Sequence, residues 1–205
     1  GPYGTQLLAD MGADIVKIEP PGEGDYARNM EPFVDGIGGV FASTNRGKQS
    51  VTLDLKDDRG QEILLTMAEE ADVVFEQFRP GVVDRLGINY ETVKARNPDI
   101  VYCSLTGYGQ AGPYSDRAGH DLNYVGYAGL LDMTRPEADS APVLPGFPIA
   151  DMTGGLFGVF AILGALLSRE LGNGGEYIDV SMTDVVLSLS QSIAPMAFTD
   201  EDPRP

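Results

Sequence analysis

The residues able to do chemistry gather between Arg117 and Gly155. This stretch opens with Arg117-Ala118-Gly119-His120-Asp121-Leu122-Asn123-Tyr124 and closes with Pro148-Ile149-Ala150-Asp151-Met152-Thr153-Gly154-Gly155. His120 is the only histidine in the chain, the side chain type whose unperturbed pKa lies near neutrality. Asp151 follows thirty-one residues later, between an apolar tripeptide and a Thr-Gly-Gly that reads as a helix start. Imidazole and carboxylate are the usual pair for moving protons, and a carboxylate alone can act as a nucleophile. Each also has a plainer reading. A lone histidine is more often a hydrogen-bonded structural residue, and Asp151 could simply cap a helix beginning at Thr153. Cap and catalyst are compatible, because a helix N-terminus stabilises a carboxylate or a developing anion beside it.

A second group of candidates consists of cations. Phe78-Arg79-Pro80-Gly81 stands just past an apolar run, with Arg85 six residues after Arg79. Arginine forks suit phosphates, and this chain has few to spare, but a salt-bridged surface loop is the competing reading. Asn45-Arg46-Gly47-Lys48 and Lys56 carry the same ambiguity. Glu76 ends an apolar run, where a carboxylate is uncommon unless it is paired or open to a cleft. Cys103, the only cysteine, lies inside another apolar run and reads as a buried strand residue rather than a nucleophile.

The elements that must position these residues alternate. Thr5–Met11 reads as a helix, Asp14–Glu19 as a strand, and the Gly- and Pro-rich residues 20–40 as a long loop. Ser50–Leu55 is a second strand, and Asp57 caps a helix running to about Glu70. Ala71–Glu76 is a third strand, followed by short helices near 82–86 and 90–96, and Asp99–Leu105 is a fourth. Residues 121–131 read as helical, the polar and Pro-rich residues 135–148 as a connection. A helix from about Thr153 to Arg169, apolar on nearly all sides, reads as a core element. Glu176–Val180 is a last strand, and a helix follows from Met182. The alternation predicts an α/β fold with a parallel, doubly wound sheet, whose ligands bind beyond the carboxyl ends of the strands. A helix at the start implies a strand before it.

Composition narrows the function classes. The chain of 205 residues carries 31 acidic against 14 basic residues, a net charge of −17. Such a surface opposes nucleic-acid binding, which needs cations to neutralise phosphate, and suits a salty cytoplasm that screens self-repulsion. The lone cysteine fits a reducing compartment. The apolar run Leu156–Leu167 is too short to span a bilayer. One His and one Cys leave no zinc cluster. Gly107-Tyr108-Gly109-Gln110-Ala111-Gly112 spells G-x-G-x-x-G, yet Pro113 and a loop follow where a phosphate-binding helix is required, so it reads as a turn.

Several stretches together resemble the class III CoA-transferase (CaiB/BaiF) family, which includes α-methylacyl-CoA racemases. They are Leu8-Ala9-Asp10-Met11-Gly12-Ala13-Asp14, Asn45-Arg46-Gly47-Lys48-Gln49-Ser50, Leu53-Asp54-Leu55-Lys56 and Glu76-Gln77-Phe78-Arg79-Pro80-Gly81. Thr106-Gly107-Tyr108-Gly109, Gly119-His120-Asp121-Leu122-Asn123-Tyr124 and Ala150-Asp151-Met152-Thr153-Gly154-Gly155 complete the set. The resemblance implies a Rossmann-like open parallel sheet with helices on both faces, the CoA-binding large domain of that fold. It further implies that the first strand and a small domain lie outside residues 1–205, with the helix of about 181–205 leading toward that domain. A coenzyme A thioester is the implied ligand, with no prosthetic group and no metal. Leu53, Lys56, Glu76, Gln77, Phe78, Arg79, Arg85 and Tyr124 match its contacts. The family's interlocked homodimer, without nucleic acid or membrane, is the implied assembly, and the cytoplasm the implied location.

Asp151 matches the aspartate that the transferases use as nucleophile and the racemases as a proton-transfer base. His120 matches the histidine of the racemase-type Gly-His-Asp motif, which makes racemisation at the α-carbon of a 2-methylacyl-CoA the leading expectation. The alternative is transfer of CoA between carboxylic acids through an aspartyl-CoA thioester, which the Asn45–Ser50 and Thr153-Gly154 stretches resemble at least as well. A third reading is a non-catalytic CoA-binding fragment, since the racemase's acidic partner for its histidine would lie outside this chain.

Overall fold

The computed structural model of the chain describes residues 1–137, 139–195 and 199. The expected final stretch therefore falls partly outside the described residues, at 196–198 and 200–205. The first helix, α1 (Pro2–Asp10), starts earlier than Thr5, because Pro2 is pre-set for a first helical turn that needs no amide donor there. Strand β1 (Ile15–Glu19) follows. The second parallel strand lies at Lys48–Thr52, two residues before its expected start, so Leu53 to Leu55 already leave the sheet.

Residues 20–44 are ordered rather than an open loop. They form a 3-10 turn (Tyr26–Asn29), a hairpin of β2 (Phe33–Val34) and β3 (Ile37–Gly38), and helix α2 (Gly39–Thr44), which precedes β4 (Lys48–Thr52). The cause is Glu19, a carboxylate only 3% exposed at the end of β1. It accepts from Arg28 at 2.7 and 2.8 Å, from Ser50 at 2.6 Å and from the Asp25 amide at 2.9 Å. Arg28 in turn stacks 3.8 Å from the centre of the Phe41 ring, tying α2 to the same anchor. A Gly- and Pro-rich composition says nothing about a buried ion pair reaching in from the neighbouring strand.

The second half builds the larger sheet. Helix α3 (Asp58–Glu69) is capped by Asp57, whose carboxylate accepts the Arg59 amide at 2.9 Å. Strand β5 (Val73–Glu76), short helices α4 (Val82–Arg85) and α5 (Tyr90–Arg96), and strand β6 (Val101–Thr106) follow. Every residue of β6 is buried, as expected for a strand covered on both faces. Tyr102 packs with Leu65, Ala68, Val93 and Ile100 on one side. Cys103 and Leu105 point the other way, toward Ile162, Val180 and Val185. Beyond α6 (Asp121–Tyr127) and α7 (Leu130–Met133), helix α8 (Ile149–Ser168) covers this second face, with β7 (Tyr177–Ser181) and α9 (Met182–Leu189) after it.

Apart from the antiparallel β2–β3 hairpin, the sheets are parallel: β4 pairs with β1, and β5, β6 and β7 pair in that order. Helices α3 and α5 lie on one face and α8 and α9 on the other, an α/β arrangement. Helix α8 is not a core element all round. Ala150, Gly154, Gly158, Ile162 and Ala165 are buried, whereas Leu156, Phe160, Leu163 and Leu167 are exposed, Phe160 by 76%. The glycine-rich side alone permits close approach: a Cβ on Gly4 would stand 2.5 Å from the Gly155 carbonyl oxygen, so α1 meets α8 backbone to backbone there. With the π-turn after it, Ile149–Asn173 is long and apolar enough to cross a membrane, longer than the expected run; it lies against β6, β7, α1 and α9 instead.

Candidate active site

Asp151 lies in the first turn of α8, not before it. The helix begins at Ile149 with Pro148 as its cap residue, and Thr153 sits inside, its hydroxyl donating to the Ile149 carbonyl at 2.6 Å. Asp151 therefore does not cap a helix that starts at Thr153. The Asp151 amide is one of the unsatisfied donors of a helix start, and Asp121 accepts it at 3.0 Å. Asp121 opens α6, so this bond joins two helix N-termini. His120 is the residue just before α6, its amide donating to Asn123 Oδ1 at 2.9 Å. The chain thus brings His120, Asp121 and Asp151 into one group.

The electrostatics of this group follow. Burial raises the Asp151 carboxyl above the usual aspartate range and the Asp121 carboxylate raises it further, while His120 pulls the other way. The side chain is nonetheless solvent-reachable, as are His120, Phe78 and Arg79, so the site is an open shelf at the carboxyl edge of the strands. Tyr124 is buried behind it, donating from its hydroxyl to the Gly119 carbonyl at 2.6 Å. Burial and the neighbouring Tyr108 raise its phenol, Asp151 and Asp121 add to the rise, and Arg79 opposes it.

A cluster of tyrosines holds the loop that carries His120. The Tyr108 ring meets Tyr114, Tyr124 and Tyr127 edge-on at 5.1 to 5.9 Å, and Arg117 stacks 4.2 Å above Tyr114. Gly107 is required here, because a Cβ would stand 2.2 Å from the Tyr124 ring. The G-x-G-x-x-G letters are a turn, with Gly109 and Gly112 at φ of 82° and 100° and no helix directly after them. Cys103 is fully buried, and burial pushes its thiol up to about 12, which leaves no nucleophile there.

The remaining expected residues lie past β4 and β5. Leu53 and Lys56 follow β4, Gln77, Phe78 and Arg79 follow β5, and Arg85 ends α4. Glu76 differs from its neighbours, since it is 8% exposed and its oxygens face Ser104 and the Phe78 amide. The cations divide in a telling way. Lys17, Arg28, Arg46, Arg59, Arg96, Arg135 and Arg169 are paired with carboxylates. Lys48 donates to two carbonyls and Asn45, and Lys94 and Arg117 lie over tyrosine rings. Among the described residues, the side chains of Lys56, Arg79 and Arg85 alone of the Lys and Arg have no such partner. The Asn45–Lys48 stretch is thereby structural, and the ambiguity over Lys56 and the two arginines tips toward an anion. Asp121 is the candidate that the sequence does not single out: there it is one letter of a motif, and its place directly after the lone histidine is the available signal.

Comparison with known proteins gives a consistent picture. The family model described as CoA-transferase family III matches residues 1–205. The acetyl-CoA:oxalate CoA-transferase of Acetobacter aceti is 42% identical over 93% of this chain and 49% of its own length. The succinyl-CoA:glutarate CoA-transferase of Mus musculus is 42% identical over 89% of this chain and 42% of its own. The crystal structure of a CaiB/BaiF family protein from Brucella suis superposes with a TM-score of 0.92 at 38% identity, covering 99% of this chain and 55% of that one. The chain spans about half the length of these relatives.

Proposed function

The chain belongs to CoA-transferase family III, and from that premise we propose that the full-length protein moves coenzyme A between carboxylic acids, with Asp151 as nucleophile. The observation that carries this reading is the set of three cations that, among the described residues, have no protein partner: Lys56 past the end of β4, Arg79 past the end of β5 and Arg85 at the end of α4, in a chain of net charge −17. Unspent cations in so acidic a molecule suit the phosphates of coenzyme A. Leu53, Gln77 and Phe78 flank them, and the thioester then reaches Asp151.

In this reading the Asp151 carboxylate attacks the thioester carbonyl, forming a mixed anhydride and releasing the CoA thiolate. The thiolate attacks the aspartyl carbonyl of the anhydride, the donor acid leaves as its carboxylate, and an aspartyl-CoA thioester remains. An acceptor carboxylate then runs the same steps in reverse. Short dicarboxylic acids are the first acceptors to test, by the names of the relatives. A partial first-turn dipole from α8 and the Asp151 amide's bond to Asp121 fix the nucleophile's backbone.

Racemisation, the leading expectation from Gly-His-Asp, has one observation in its favour: His120 lies near enough to lower the Asp151 carboxyl. The transferase names of the relatives outweigh it. The reading extends to assembly and domain plan, with an interlocked homodimer in the cytoplasm and a small domain following α9.

The test uses full-length protein with an acyl-CoA donor in heavy water. Transfer that requires an acceptor acid, with hydroxylamine trapping at Asp151, is expected, and Asp151→Ala should abolish it. Deuterium uptake at the α-carbon without any acceptor would move the assignment to racemisation. Full transfer by Asp151→Ala would sink both, and CoA binding without turnover would leave only a binding fragment.

A further inference from the structure

Glu76 is the last residue of β5, and its side chain turns inward instead of toward the open shelf. It is 8% exposed and lies beside Ser104, which is 1% exposed and faces it across the β5–β6 ladder. Ser104 donates its hydroxyl to Glu76 Oε1 and itself accepts from the Tyr177 hydroxyl at 3.2 Å. The other oxygen, Oε2, accepts the Phe78 amide at 2.7 Å. Among the described residues no Lys, Arg or His pairs with this carboxyl. A carboxylate buried without a cation is costly to keep, and an apolar or amide side chain would fill the place more cheaply.

The geometry shows what the carboxylate does there. The Phe78 amide stands past the end of the β5 ladder, where the chain bends away from the sheet. Glu76 supplies the acceptor that the next strand no longer can. The bend leads through Gln77, Phe78, Arg79 and Pro80 to Gly81, whose φ of 76° turns the chain into α4 and Arg85. Phe78 and Arg79 are both solvent-reachable. We propose that Glu76 is a positioning residue for coenzyme A: its carboxylate fixes the Phe78 amide and with it the turn that presents Phe78 and Arg79, without touching the ligand. This rests on the reading that residues 77–79 bind coenzyme A, and it removes Glu76 from the ligand's own contacts.

Glu76→Gln is the informative variant. Its amide oxygen can keep the Phe78 amide while its NH2 group donates to the Ser104 hydroxyl oxygen, so the variant keeps the shape and removes the charge that strengthens the bond to Phe78. In the full-length protein, the Kd for free coenzyme A is expected to rise about tenfold, the scale of one charge-assisted hydrogen bond. The KM for acyl-CoA should rise with it while kcat at saturation is retained, and exchange of the Phe78 amide hydrogen should quicken. Ser104→Ala, which leaves the Glu76–Phe78 bond in place, is expected to lower the melting temperature and leave the Kd unchanged. An unchanged Kd in Glu76→Gln overturns the proposal, as does an equal loss of affinity in Ser104→Ala, which would make the effect one of general stability. If Glu76→Gln does not fold, Glu76→Asp takes its place with the same expectation, and failure of both to fold marks Glu76 as a folding residue and ends the proposal. A wild-type protein that does not bind coenzyme A at all would instead sink the ligand reading on which this one stands.

Discussion

Asp151 and Asp121 meet where α6 and α8 begin, the Asp151 amide donating to the Asp121 carboxylate. Two carboxylates facing each other raise the pKa of at least one, and here the Asp121 charge adds to the burial that lifts Asp151. A nucleophilic carboxylate must be ionised, so the acid limb of kcat/KM is expected above the ordinary aspartate range. Asp121→Asn keeps an oxygen for the Asp151 amide but removes the charge. It should move that limb to lower pH while the melting temperature stays near wild type. Asp121→Ala also loses the acceptor at the start of α8 and should cost about 1 kcal/mol more in stability, the usual worth of a cap. An acid limb that stays in place in Asp121→Asn would show that the carboxylates do not interact. The place of Asp151 near a helix start was legible in the sequence, because an aspartate before Thr-Gly-Gly already reads as a helix-start anion. The role of Asp121 was not, since it depends on the N-termini of α6 and α8 abutting across thirty residues of chain. Glu76 was half legible: a carboxylate on an apolar strand marks itself as exceptional, but only the fold shows that it faces in.

At the scale of elements, periodicity carried β1, α3, β5, β6 and β7 to within a few residues of their places, because each buries one face or both against its neighbours. It found the start of the last helix, but α9 ends at Leu189 and turns follow to residue 195, short of the expected run to about 205. It failed at residues 20–44, whose order comes from a tertiary ion pair. Glu19 lies at the centre of that failure, and Arg28 is the main cause that holds its carboxyl down at about 2, against an ordinary 4.5. The sign follows from linkage: a carboxyl depressed in the folded state adds stability above its unfolded pKa and loses it as pH falls through the folded one. The whole contribution is therefore present at neutral pH and is lost between about pH 4.5 and 2. Hydrogen exchange across the hairpin and α2 should accelerate through that window while β6 remains protected. Glu19→Gln should show the fast exchange already at pH 7. Equal acceleration of β6 and the hairpin would mean that the excursion melts only with the whole domain. The start of α8 is hidden in the sequence for a different reason. Ile149 and Ala150 follow three prolines and read as part of an extended lead, yet Pro148 is well suited to stand just before a first helical turn.

The molecule as a whole carries 31 acidic and 14 basic residues, and the folded arrangement decides which electrostatic effect dominates. Ion pairs such as Arg96 with Glu62 and Glu69, or Arg59 with Asp57, are largely exposed, and each contributes little that salt would not screen away. Repulsion among the carboxylates that no cation answers is stronger, and salt screens it too, with the opposite effect on stability. The excess of seventeen negative charges outnumbers the surface pairs, so added salt should stabilise the fold. The melting temperature is expected to rise as KCl is increased from about 0.05 M, where the screening length exceeds 10 Å, to about 1 M, where it is near 3 Å. The exception is local. Around Lys56, Arg79 and Arg85 the repulsion is already relieved by cations with no protein partner, so a bound polyphosphate should stabilise most at low salt and progressively less as KCl rises. The two titrations together separate global repulsion from local attraction. A melting temperature indifferent to KCl would show that the surface charge is accommodated without salt, and ligand stabilisation indifferent to KCl would show that the three cations do not meet the phosphates.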